Sequence, residues 1–395
     1  MKLSDYVVEC IADSGACDVF MLPGGGAMHL NDSLGRSDRV RYICNLHEQA
    51  CAIAAEAYAQ YTNNIGVCMV TTGPGSVNAL TGVAAGWMDS TPMLVVSGQV
   101  KRVDLCHGKG IRQLGFQEID IVSMVKPITK YAVTITDPSE IRYHMEKALW
   151  SARNGRPGPS WVDIPLDVQA AEIDPGSQKG FSPTLTDKTS PTDSDCLSEK
   201  TREALMLLGQ SEKPVILIGN GVRLAKAENM FLELAKRLQV PVLTTWKALD
   251  LLTQDDPLFI GRPGAVAQRA ANLAQQRSDW FLMLGARMDM GQTAYMHKYL
   301  APNAKRIMVD IDKAEIEKMS TDIQVSIAVS ADDFIEEMIA QLDSVDLEVN
   351  RWARWREECQ EWKISYPVMR SEYLGFTDGV SIYALIDAIS EKVEP

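Results

Sequence analysis

Asp18-Val19-Phe20-Met21-Leu22-Pro23-Gly24-Gly25-Gly26 joins a short apolar run to a proline and three glycines. A run of this length reads as a strand, and the Pro-Gly turn that ends it leads into a helical pattern. The same construction recurs at Gly66 to Thr71 before Thr72-Gly73-Pro74-Gly75, at Pro92-Met93-Leu94-Val95-Val96, and at Ser160-Trp161-Val162-Asp163-Ile164. Runs that are apolar throughout, rather than at every second residue, belong to strands covered on both faces. Alternation of such runs with helical segments predicts parallel α/β architecture. A second series follows at Pro214-Val215-Ile216-Leu217-Ile218, Val240 to Thr244, Trp280-Phe281-Leu282-Met283-Leu284 and Arg306-Ile307-Met308-Val309-Asp310. The expected fold is therefore α/β, with two consecutive three-layer domains, each built on a parallel sheet.

Composition places the boundaries. The stretch 172–195 turns to Pro, Ser, Thr, Asp and Lys without periodicity and reads as a linker between a domain at 1–171 and a second at 196–345. In the remainder, 346–395, Trp352, Trp355 and Trp362 are spaced to share one face of a packing helix, and 380–393 forms a further amphipathic helix. At the other end Ser4 is the expected cap of the opening helix.

The 395 residues carry a net charge of −13. That excess repels nucleic acid and anionic membrane, so neither is expected as a partner. No apolar segment is long enough to cross a bilayer, and a cytoplasmic protein is expected. The eight cysteines, several inside apolar runs, form no metal-ligand spacing and read as reduced core residues.

Chemistry gathers in the first domain. Leu22-Pro23-Gly24-Gly25-Gly26 lets a backbone approach a ligand and leaves helix N–H groups free, although such a turn is often only a turn. His47-Glu48-Gln49 opens an alanine-rich helix that must pack closely, and a carboxylate entering such a layer needs a partner or a proton. Read alone, Glu48 is a helix-start acid satisfied by free N–H groups. Glu56 reads as part of an exposed face, His47 as a helix-start histidine satisfied by backbone, and His107 as loop surface.

These elements, with Gly115-Phe116-Gln117-Glu118-Ile119-Asp120-Ile121-Val122, Lys126-Pro127-Ile128-Thr129-Lys130, Asn154-Gly155-Arg156-Pro157-Gly158-Pro159 and Asp163-Ile164-Pro165-Leu166-Asp167-Val168, occur in the order found in one family. The first domain resembles the pyrimidine-binding domain of the acetolactate-synthase-like thiamine-diphosphate enzymes. The resemblance implies that Glu48 hydrogen-bonds N1′ of the cofactor's aminopyrimidine, which changes its reading from a capping acid to a catalytic one. It further implies that Pro74 and Asn78 approach the pyrimidine, and that Pro23, Gly24, Gly25, Phe116 and Gln117 face the reacting centre, with Gln117 as a donor to the substrate. Leu22 departs from the tyrosine that many synthases carry before Pro-Gly-Gly.

The second domain resembles the family's Rossmann-like central domain, which binds FAD in the synthases. Gly219, Gly221, Gly264, Gly285, Arg287 and Asp310 match the positions that would serve FAD. Arg287-Met288-Asp289-Met290-Gly291 lacks the second basic residue of the synthase pattern, and FAD binding stays open. The sequence contains no Gly-Asp-Gly, the motif with which the family holds Mg²⁺ and the diphosphate. The resemblance then implies a metal site outside this chain, a truncated diphosphate-binding domain within 346–395, and no activity without a C-terminal domain or partner chain. It implies a homodimer or homotetramer acting on a small 2-oxo acid such as pyruvate, with decarboxylation followed by carboligation to a second carbonyl. The alternatives are a simple 2-oxo acid decarboxylase and a non-catalytic nucleotide-binding or regulatory subunit.

Overall fold

A computed structural model describes residues 1–106, 108–184, 196–345, 347–375 and 378–393. They fall into two compact units, Met1–Thr189 and Ser190–Pro395. The first holds strands β1 (Asp18–Met21), β2 (Arg41–Cys44), β3 (Gly66–Val70), β4 (Met93–Gln99), β5 (Tyr131–Thr134) and β6 (Pro159–Pro165). They form one parallel sheet in the order β2-β1-β3-β4-β6-β5. The second holds β7 (Pro214–Ile218), β8 (Val242–Thr244), β9 (Phe259–Gly261), β10 (Trp280–Leu284), β11 (Lys305–Val309) and β12 (Val325–Ile327). Its sheet is again parallel, ordered β12-β11-β10-β7-β8-β9.

Both faces of each sheet are covered, so β3, β4, β6, β7 and β10 are buried along their whole length. The continuous apolar runs identified these central strands. The four strands that carried no such run, β2, β5, β9 and β12, are the four sheet edges. An edge strand has one neighbour and can be short or polar, as the exposed Arg41, Tyr42 and Cys44 of β2 illustrate.

The helix Glu48–Thr62 lies against β3 and the helix Leu80–Asp89. Its alanines make that approach close. A Cβ on Gly66 would overlap the Ala55 carbonyl, and one on Gly82 would lie 2.5 Å from the Ala52 carbonyl carbon. The close packing expected of this segment is present.

Four expectations are corrected. Glu56 is buried, not exposed, and its Oε1 accepts from Thr91 Oγ1 at 2.9 Å and from Gln60 Nε2. The bonds replace the water that a carboxylate loses on burial. Ser4 does not cap the first helix: it lies buried inside Leu3–Asp13 and accepts from the Ser33 hydroxyl, while Lys2 holds the cap position and Leu3 N donates to Ala171. Cys51, Cys68 and Cys359 are core residues, but Cys17 and Cys44 are exposed, Cys44 because it ends an edge strand. Residues 172–184 are attached to the first unit through the Lys2–Glu172 bridge, the Glu146 carboxylate accepting from Phe181 N, and the Arg142 guanidinium donating to the carbonyls of Pro175 and Gln178. The rest of the expected linker, 185–195, lies outside the described residues, as does His107.

In the second unit Trp352 and Trp355 are buried and donate their indole N–H groups to Ser211 and Pro214 carbonyls. Trp355 meets Trp362 edge to face at 5.6 Å, which confirms a packing role for all three. The expected amphipathic helix appears at Ile382–Ser390. Among the described residues no helix is long and apolar enough to cross a membrane.

Candidate cofactor and substrate site

In an open parallel sheet, ligands bind beyond the carboxyl ends of the strands. In the first unit the segments leaving β1, β2, β3 and β4 in that direction carry Pro23-Gly24-Gly25, Glu48, Thr72-Gly73-Pro74-Gly75 and, further along, Phe116-Gln117.

Glu48 is the first residue of its helix, and His47 caps it, the Nδ1 accepting from Gln49 N at 3.1 Å. His47 is thereby satisfied by backbone, as expected. Glu48 is 9% exposed, and its Oε2 accepts from Asn78 Nδ2 at 2.9 Å. Its Oε1 has no hydrogen-bond partner among the described residues and faces Gly75, where a Cβ would come within 3.1 Å of it. A nearly buried carboxyl with one oxygen fixed and the other open is set to engage a donor from outside the chain.

The turns around Glu48 pack on one another, with no room for a side chain at Gly24, Gly26, Gly73 or Gly75. A Cβ on Gly24 would lie 2.5 Å from Thr71 Cβ, and Gly26 N donates to Thr71 Oγ1 at 3.1 Å. Gly73 adopts φ +60°, and a Cβ there would overlap the carbonyl oxygen of Gln117. Gln117 is itself left-handed at φ 60°. The segment after β4 thus crosses directly over the turn after β3. Phe116 is 84% exposed beside it, and the exposed Gln117 side chain makes no hydrogen bond among the described residues. Pro23, Gly25, Pro74 and Asn78 are likewise exposed on this edge.

Two carboxylates below the surface had been given no role. Glu118 is buried and accepts from the backbone N–H groups of Cys106, Leu114 (3.0 Å) and Gly115 (3.2 Å). Burial pushes its pKa up, but these donors prevail and hold it below the usual carboxylate value. Asp163 is buried on β6 beside Ser97 of β4 and Thr134 of β5, its partners in register. It accepts from Ser97 Oγ at 2.6 Å, Thr134 Oγ1 at 3.0 Å and Gln99 Nε2 at 3.2 Å. Burial outweighs these bonds and raises its pKa to about 7. The available signal was a carboxylate inside the apolar run Trp161-Val162-Asp163-Ile164, which has to find donors.

In the second unit the glycines chiefly admit backbone to backbone. A Cβ on Gly219 would overlap the Gly285 carbonyl, and one on Gly221 would lie 2.7 Å from Gly285 Cα. Gly264 exchanges hydrogen bonds with the Asn272 side chain. Arg287 pairs with Asp289 at 3.3 Å, and Asp310 Oδ1 accepts from Asp312 N at 2.9 Å. Among the described residues no group of three or more His, Cys, Asp and Glu is arranged to hold a metal ion.

Residues 1–124 match the family model described as thiamine pyrophosphate enzyme, N-terminal TPP binding domain, and residues 201–338 match the thiamine pyrophosphate enzyme central domain. The chain belongs, through these two domains, to the thiamine pyrophosphate enzymes. Within that class it is similar to acetolactate synthase large subunits. It is 33% identical to that of Corynebacterium glutamicum, over 98% of this chain and 60% of the relative. It is 32% identical to the isozyme 1 large subunit of Escherichia coli, over 99% and 65%, and 33% identical to that of Lactococcus lactis, over 89% and 59%. The chain spans about three fifths of the length of these relatives.

Proposed function

We propose that this chain supplies the pyrimidine-side half of a thiamine-diphosphate active site that decarboxylates a pyruvate-like 2-oxo acid and joins the remaining carbon unit to a second carbonyl. The observation that carries the reading is Glu48, with Oε2 held by Asn78 and Oε1 open above Gly75. The residues fit the cofactor, since a ring nitrogen needs one open carboxyl oxygen in a place poor in water and a glycine-lined approach. When bound, thiamine diphosphate supplies a nucleophilic carbon and an electron sink for the departing CO₂.

The chain's own residues divide the remaining work. Glu48 holds a proton at Oε1 for the pyrimidine N1′, and Asn78 fixes which oxygen does so. Pro74 gives the ring an apolar edge, and the Pro23-Gly24-Gly25 turn admits the substrate closely. Gln117 donates to the substrate carboxylate or carbonyl, and Phe116 shields the reacting centre from water. The Mg²⁺ and diphosphate sites lie on a C-terminal domain or a separate chain, within a homo-oligomer, and the protein is cytoplasmic. A flavin, if carried by the second unit, would be held by Arg287 and Asp310, since Gly219, Gly221 and Gly285 are occupied in packing their loops together.

Calorimetric titration of thiamine diphosphate with Mg²⁺ tests this, into the chain alone and with a diphosphate-binding domain. The reading predicts micromolar binding only in the second case, condensation of two pyruvates to a 2-hydroxy-3-oxo acid with release of CO₂, and loss of turnover in Glu48→Gln. Aldehyde as sole product would mark a simple decarboxylase. Absence of binding in both cases would leave a nucleotide-binding or regulatory protein.

A further inference from the structure

We infer that Gln99 is a positioning residue that braces the cofactor-side turn to the substrate-side segment, an inference that rests on the roles proposed for Pro74 and Gln117. Gln99 ends β4 and is 2% exposed. Its amide reaches four partners. Oε1 accepts from Thr72 Oγ1 at 2.7 Å and from Val100 N at 3.0 Å. Nε2 donates to the Ile119 carbonyl at 3.0 Å and to Asp163 Oδ2 at 3.2 Å. An amide group offers two donors and two acceptor positions, and all four are used here.

The partners lie where the site needs them fixed. Thr72 precedes the Gly73-Pro74-Gly75 turn beside Glu48, and Ile119 follows Phe116-Gln117 by two residues. The two segments already touch, because the Gln117 carbonyl lies over Gly73. That contact sets their separation but not their register, since a carbonyl over a glycine can slide. Gln99 supplies the register, holding one segment by its oxygen and the other by its nitrogen. Asp163 fixes which way the amide points, and is itself held by Ser97 and Thr134. The brace is anchored in the sheet, so either segment pulls against a rigid element.

The two ends of the amide can be cut separately. Gln99→Glu keeps oxygen acceptors for Thr72 and Val100 and puts an oxygen against the Ile119 carbonyl and the Asp163 carboxyl; even if the two carboxyls share a proton, the bond to Ile119 is lost, releasing the substrate-side segment. Thr72→Val keeps shape and removes the hydroxyl, releasing the cofactor-side turn. In the chain alone, hydrogen exchange followed by mass spectrometry should show residues 114–121 exchanging faster in Gln99→Glu, and residues 72–79 faster in Thr72→Val. In the assembled enzyme Gln99→Glu should raise KM for the 2-oxo acid at least about fivefold with cofactor affinity within about twofold, and Thr72→Val should do the reverse. General loss of packing would move both constants together in both variants. Exchange unchanged in both variants, or both segments and both constants shifting in parallel, would overturn the brace. If the wild type neither binds cofactor nor turns over, the proposed function fails, while the exchange pattern still decides on Gln99.

Discussion

At Gly75 there is no room for a single added carbon. A Cβ there would lie 2.7 Å from Thr71 Cγ2 and 3.1 Å from Glu48 Oε1. Gly75→Ala is expected to cost about 1–3 kcal/mol of stability through overpacking. Thermal unfolding with cofactor titration checks this: the midpoint should fall and cofactor affinity should fall with it. Gly73→Ala should be worse. It combines a backbone conformation that costs about 1–3 kcal/mol for residues with a side chain with overlap against the Gln117 carbonyl, which cannot move without shifting the segment. Its unfolding midpoint should lie below that of Gly75→Ala. Glu48 and the glycines were legible as residues, an acid opening an alanine-rich helix and turns that end strands, while their grouping with Asn78 into one site came from the resemblance to a family. Gln99 was not, since nothing in a linear sequence tells that an amide at a strand end meets four partners drawn from segments far along the chain.

At the scale of elements, the segment from Cys106 to Glu118 is closed by one carboxylate accepting three backbone donors. Because the folded-state pKa of Glu118 is depressed, its stabilising effect is complete above the unfolded value of about 4.3 and is lost as pH falls through the folded value. Protection of the Leu114 and Gly115 amides, corrected for intrinsic exchange rates, should therefore drop on acidification below about pH 4. In Glu118→Gln it should be lower at neutral pH and lose that dependence. Secondary structure was readable where burial is two-sided, as in Pro214–Ile218 and Trp280–Leu284, whose bounds coincide with β7 and β10. The three-residue strands β9 and β12 escaped because a run that short has no period to read.

At the scale of the whole molecule, two sheets of the same design carry very different polar loads. The first contains a buried carboxylate whose pKa is raised to about 7 mainly by burial, against an unfolded value of about 3.9. Between those values the native state holds more protons than the unfolded one, so this group makes stability fall as pH rises from about 4 to about 7. Urea midpoints for wild type and Asp163→Asn at pH 5, 6 and 8 should show the substitution removing that part of the slope. The class, two parallel α/β domains, was legible in the sequence, through apolar runs and glycine turns repeated twice. The carboxylate network was not, because three neighbouring strands supply it in register. The wall of alanines behind Glu48 has a last consequence, for the protein's capacity to vary. Ala52 and Ala55 press on glycines that already have no side chain, so every substitution at Gly66 or Gly82 adds bulk and none removes it. A saturation scan should find Gly66 and Gly82 without an acceptable replacement, and the acid's position therefore set by residues that carry no chemistry of their own.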